Sequence, residues 1–149
     1  ERICMYLQDV DSVYDLKWNN QITYGELYHR NEIEQSTYNF EESDPKTLFQ
    51  LFDLHEQAAL SLLDKKLVMP AYESILKCSH TFNLMDARGI IGKDERMANI
   101  LRIRKLAERV ARAFLEQRIE MGFPLLPEGE RETLVKEYAD KYLAAPQKA

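Results

Sequence analysis

Three short stretches carry side chains whose types and spacing could do chemistry. His55-Glu56-Gln57-Ala58-Ala59 begins like the zinc-protease pattern H-E-x-x-H. A zinc pair needs two imidazoles one helical turn apart, and position 59 is Ala. The stretch therefore reads as a histidine at the edge of a core, with no metal site. Cys78-Ser79-His80 brings a thiol and an imidazole close in sequence. Positions two apart on a helix point about 160° from each other, so these two do not form a Cys–His nucleophile. Asp86-Ala87-Arg88-Gly89 offers an ion-pair candidate and a helix-ending glycine, which fixes a turn. No glycine-rich phosphate loop and no G-x-S-x-G elbow occur.

A fourth feature is electrostatic. Lys93, Arg96, Arg102, Arg104, Lys105, Arg109, Arg112 and Arg118 outnumber the acids around them. Residues 26–44, by contrast, hold six acids and one Arg. A solvated helix face accounts for each segment. The basic set, with Arg102, Arg104, Lys105, Arg109 and Arg112 at its centre, also suits contact with RNA phosphates or with an acidic subunit surface. The two segments could equally pair with each other.

The chain must hold these groups on a frame, and its composition points to helices. Five Gly and five Pro in 149 residues favour long elements with short connections over a many-stranded sheet. A charged fraction of 30% and a hydrophobic fraction of 45% fit an ordinary soluble protein with a real core. No run reaches the roughly 18 apolar residues of a membrane span, and no signal peptide is visible. Cys4 and Cys78 are isolated, as expected of reduced thiols in the cytoplasm. A net charge of −5 excludes a surface that is basic all over.

The periodicity predicts all-α architecture with about six helices. Ile3, Tyr6, Leu7 and Val10 mark a helix over 1–9. Tyr14, Leu16 and Trp18 alternate like a short strand, and Asn19-Asn20 signals a turn. Thr23 and Glu26 have capping-box spacing ahead of a polar helix over 24–41. Asp44-Pro45 starts a helix to about Asp64 with Leu48, Leu51, Phe52, His55, Ala58, Ala59, Leu62 and Leu63 inward. Pro70 opens the next, with Tyr72, Ile75, Leu76, Ser79, Phe82 and Met85 inward and Gly89 as cap. Asp94 caps the longest helix, whose inner face is Ile100, Ile103, Ala107, Val110, Phe114 and Met121, ending at Gly122. Residues 125–129 are a linker, Leu134, Val135, Tyr138 and Tyr142 a last short helix, and Pro146–Ala149 a loose tail.

Four stretches taken together go further: ERICMYLQDVDSVYDLKW, ITYGELYHRNEIEQSTYNFE, VMPAYESILKCSHTFNLMDARG and LRIRKLAERVARAFLEQRIEMGFP. In unbroken order from Glu1 to Pro124 they resemble the bacterial glycyl-tRNA synthetase α subunit. Family members carry a class II motif 3, Gly-Leu-Glu-Arg, entering a helix, and Glu1-Arg2 fits its last two residues. The resemblance implies a C-terminal half from motif 3 onward, without the antiparallel catalytic sheet. It divides the chain into a motif 3 helix and catalytic remnant over 1–20, a helical domain over 21–124, and a linker, short helix and tail over 125–149.

The resemblance also implies chemistry. Glycine would be activated with ATP and Mg²⁺ to glycyl-adenylate and passed to tRNA(Gly), with Arg2 as the catalytic cation and Arg2 and Glu1 at ATP. A fixed cation stabilises charge on phosphate oxygens, and a guanidinium also stacks on adenine. No cofactor is expected on this chain alone, which is expected to be inactive without motif 2. Implied partners are the β subunit and a second α subunit in an α₂β₂ enzyme. Asn31, Glu34, Gln35, Tyr38 and Asn39 would face the catalytic sheet or a neighbouring subunit. At 90–96 the chain reads Ile-Ile-Gly-Lys-Asp-Glu-Arg where a run such as Ala-Ile-Ser-Val-Thr-Glu-Arg is expected. Glu95-Arg96 is kept, and the hydroxyls are lost. Two other readings stand beside the ligase: a docking module for β or α, and a free-standing RNA-binding helical domain.

Overall fold

A computed structural model describes residues 1–143 of the chain. The tail expected over Pro146–Ala149 lies outside the described residues. Among those described, six α-helices and no β-strand are present, as the periodicity predicts. They fall into two units, Glu1–Asp44 and Pro45–Ala149.

The first unit opens with α1 (Arg2–Gln8), whose turn ends on Asp9 in the left-handed region. Ile3, Tyr6 and Leu7 keep their helical spacing but stand exposed. The expected strand around Tyr14 is instead a 3₁₀ turn, Val13–Asp15, capped by the Ser12 hydroxyl. Only an isolated antiparallel bridge, Lys17 to Thr23, survives of the extended pattern. The Gln8 side-chain amide borders it as a neighbouring strand would: Oε1 accepts from Lys17 N–H at 2.8 Å and Nε2 donates to Lys17 O at 3.2 Å. Asn19 makes the expected turn, its Oδ1 accepting from Gln21 and Ile22 N–H. The polar helix follows as π turns Gly25–His29 and Tyr38–Glu42 around α2 (Arg30–Thr37). Leu16 is the buried apolar residue of this unit among those described.

The core belongs to the second unit. Here α3 (Pro45–Asp64) and α4 (Val68–Ala87) form a helical hairpin, and α5 (Lys93–Glu120) packs across it. Leu48, Phe52, Ala59 and Leu63 meet Val68, Ala71, Ile75, Cys78, Phe82 and Met85, closed by Leu106 and Val110. Each large side chain buried this way contributes about 1.5–3 kcal/mol. Several inward assignments shift. Ala58, Tyr72, Leu76, Ala107, Phe114 and Met121 are exposed, while Ala71, Cys78 and Leu106 take the inner face. On α4 the small Ala71 and Cys78 fit where the helices approach closely, and the larger Tyr72 and Leu76 turn outward.

Helix ends follow local chemistry with two corrections. Pro70 lies in the first turn of α4, which begins at Val68, because a first-turn N–H has no intrahelical acceptor to lose. Gly92, not Asp94, is the N-cap of α5, and the Glu95 carboxylate accepts from Gly92 N–H at 3.2 Å. Gly89 (φ 64°) and Gly122 (φ 69°) each close a Schellman turn, with Ile90 N–H to Met85 O at 3.2 Å and Phe123 N–H to Arg118 O at 3.0 Å. The last helix, α6 (Glu128–Tyr138), starts inside the expected linker and runs into a π turn, Ala139–Leu143.

Candidate functional site

Two polar arrays carry the candidate residues, one in each unit. In the first, Thr23 and Glu26 complete their capping box: Thr23 N–H donates to Glu26 Oε2 at 2.8 Å and Glu26 N–H to Thr23 Oγ1 at 3.2 Å. The bond from Thr23 N–H, and then one from the Thr23 hydroxyl to the same oxygen at 3.0 Å, hold the Glu26 carboxyl below its ordinary value. The turn they fix starts the helix that carries Tyr24 and Glu32. Glu32 accepts from two phenols, Tyr14 at 2.8 Å and Tyr24 at 3.2 Å. Tyr14 is raised above the ordinary phenol value first by that bond, and Tyr24 first by desolvation and then by the bond. His29 packs on Tyr14 with ring centroids 4.2 Å apart. Gly25 makes this closeness possible, since a Cβ there would sit 2.8 Å from Tyr14 O.

Glu1 and Arg2 begin this unit. Both are exposed, and Arg2 opens α1. The Glu1 charge reaches Tyr14 and Tyr24 and helps raise both phenols. Asn31, Glu34, Gln35 and Tyr38 are exposed, with Glu34 held by Arg30 at 2.7 Å. The Glu32 carboxylate escaped the sequence reading. Its partners come from a 3₁₀ turn and from two helical turns upstream, a spacing no local pattern announces.

In the second unit the basic residues divide. Arg102 donates to Asp53 at 2.7 Å, to Asn99 at 3.2 Å and to both oxygens of Glu56. Those carboxylates hold its guanidinium charge more firmly still. Arg109 reaches Asp64 at 3.2 Å. Arg112 donates to Glu116 at 3.1 Å and to Tyr142 O at 3.2 Å. The interhelical partners of Arg102 and Arg109 are thus carboxylates of α3. Arg104 and Lys105 are exposed and have no carboxylate partner among the described residues. Asp86 pairs with Arg96, its two oxygens accepting from Nε at 3.1 and 3.2 Å, and ties the end of α4 to the start of α5.

The other sequence candidates do not converge. Cys78 is buried and its thiol is pushed up to about 11, chiefly by desolvation, whereas His80 is exposed on another face. His55 is half-buried and lowered by desolvation, then by Lys77. Among the described residues no three His, Cys, Asp or Glu side chains gather as metal ligands, and no helix is long and apolar enough to cross a membrane.

The fold and its polar arrays name no reaction by themselves, and the comparison with known families adds a class. The family model matching residues 1–119 describes a subunit of an aminoacyl-tRNA synthetase, a class of ligase. That family is the glycyl-tRNA synthetase alpha subunit, and the chain belongs to it.

Proposed function

We propose that the chain serves ATP-dependent activation of glycine and its transfer to tRNA(Gly) within an α₂β₂ synthetase in the cytoplasm. Family membership over residues 1–119 carries this reading. Arg2 is the catalytic cation. Its exposed guanidinium in the first turn of α1 suits a triphosphate oxygen and the adenine face. Glu1 beside it faces the nucleotide. Among the described residues no three His, Cys, Asp or Glu side chains gather, and Glu1 would offer Mg²⁺ one carboxylate beside the phosphates. No step is therefore derived through the metal. The test is Arg2→Ala in the assembled synthetase, read by glycine-dependent pyrophosphate exchange. Loss of about two or more orders of magnitude is expected for a transition-state cation, and unchanged exchange rejects Arg2. By the same reading this chain alone forms no glycyl-adenylate, and exchange by it alone would overturn that.

A second reading concerns the basic face. Among the described residues Arg104 and Lys105 have none of the carboxylate partners that Arg102, Arg109 and Arg112 have. Free surface cations suit docking on an acidic β or α surface. Reversing both to Glu should weaken β capture in a salt-dependent way while leaving folding intact. Equal capture would return the face to a solvated one.

A further inference from the structure

The end of α5, the 121–127 loop and α6 enclose an apolar groove of about 640 Å³. Phe114 and Leu115 line one side, Leu134 and Tyr138 the other, with Phe123 edge-on to Tyr138 at 5.7 Å. Its rim is fixed before anything binds: Arg131 donates to Leu126 O at 2.7 Å and to Pro124 O at 3.1 Å. At that rim Leu125 is 94% exposed. One cation lies in the lining. The Arg118 guanidinium covers the Phe114 ring at 4.6 Å, and its buried Nε has no hydrogen-bond partner among the described residues.

We propose that this groove docks a segment of a partner protein, a helical turn or two bearing large apolar side chains and one carboxylate that reaches Arg118. The charge argues for the carboxylate: among the described residues Arg118 is the one cation in an otherwise apolar lining, and a carboxylate complements its guanidinium. The projecting Leu125 argues for a macromolecule, because a small ligand inside the groove leaves that side chain in water, whereas a partner surface covers it. Most of the groove lies beyond residue 119, where the family match ends, so this docking is separate from the ligase reading.

The probe is a capped synthetic helix with leucines at i, i+3, i+4 and i+7 and a single Glu beside them, titrated into the 149-residue chain by fluorescence anisotropy. Saturable binding is expected, weakened about tenfold when the probe's Glu becomes Gln. Leu125→Ser, a change at an exposed position, should weaken both probes. Arg118→Gln should erase the difference between them, and Arg118→Lys should restore part of it. A chain ending at Leu143 should bind as the full chain does. The proposal fails if the two probes bind wild type equally, or if Leu125→Ser changes nothing. It fails too if decanoate displaces the probe as a tighter ligand, or if the shortened chain binds more tightly because residues 144–149 fill the groove.

Discussion

The guanidinium of Arg102 lies over the ring of Phe52, its central carbon 4.6 Å from the centroid. The same group forks onto Asp53 and Glu56, so one side chain of α5 grips the apolar and the charged sides of α3. A planar cation can stack and fork at once, and a lysine cannot.

Arg102→Lys should therefore lower the unfolding free energy of the chain by about 1 kcal/mol, and Arg102→Ala by about 2 kcal/mol. Exposure of 37% of the Arg102 side chain keeps both figures moderate, because water screens the pair. Urea titrations of the variants check this. A lysine variant as stable as wild type would mean that simple charge is enough.

The two thiols should behave as different species. Cys4 is exposed, whereas Cys78 is buried against Phe52 O at 3.7 Å with its thiol pushed up to about 11. Native protein near pH 8 should take up one alkyl group at Cys4, and Cys78 should react only on unfolding. Mass spectrometry of iodoacetamide-treated chain reads both. Rapid native labelling at Cys78 contradicts the packing of α3 on α4.

Lys66 turns the corner from α3 to α4 at φ 59°, where Gly89 and Gly122 stand at the equivalent turns. Its Cβ resists the left-handed conformation at a cost of about 1 kcal/mol. Lys66→Gly should raise stability by about 0.5–1 kcal/mol, part of the gain being offset by the freer unfolded chain. Thermal unfolding decides the sign.

Glu32 should set the alkaline limit of the N-terminal unit. Tyr14 and Tyr24 have folded values above the ordinary 10.0, so the stability they supply is complete below 10 and drains away as pH rises through the raised values. Spectroscopic phenol titration should show two late tyrosines in the wild type. In Glu32→Gln both should move back toward 10.0. No movement would remove Glu32 from the cluster.

Gly25→Ala should disturb the same cluster sterically. The new methyl would lie 2.8 Å from Tyr14 O and 2.9 Å from Tyr14 Cβ, which forces backbone apart at a cost of about 1–3 kcal/mol. Near-ultraviolet circular dichroism should lose tyrosine signal while the helices of the second unit persist.

The local signals proved legible for a physical reason. A cap, a first-turn proline or a left-handed glycine acts within four or five residues, so Thr23-Glu26, Pro45, Gly89 and Gly122 marked their helix ends from sequence alone. Periodicity likewise predicted α1 and α3 through α6 as helices, and the four quoted stretches carried the family. Failures arose where distance in space was needed. Tyr14 alternates like a strand, yet it lies in a 3₁₀ turn capped by Ser12, and its phenol meets Glu32 eighteen residues away.

By itself, then, the sequence determined the helices, most of their ends and the family, because hydrogen bonding within a turn and side-chain period are properties of contiguous chain. Tertiary structure alone decided which stripe of each helix turned inward and which arginines found carboxylates among the described residues. Packing three helices together selects the small residues Ala71 and Cys78 for the contact, and the position of α3 chooses Arg102 over Arg104. Those choices depend on atoms far apart in the chain, and no spacing along it encodes them.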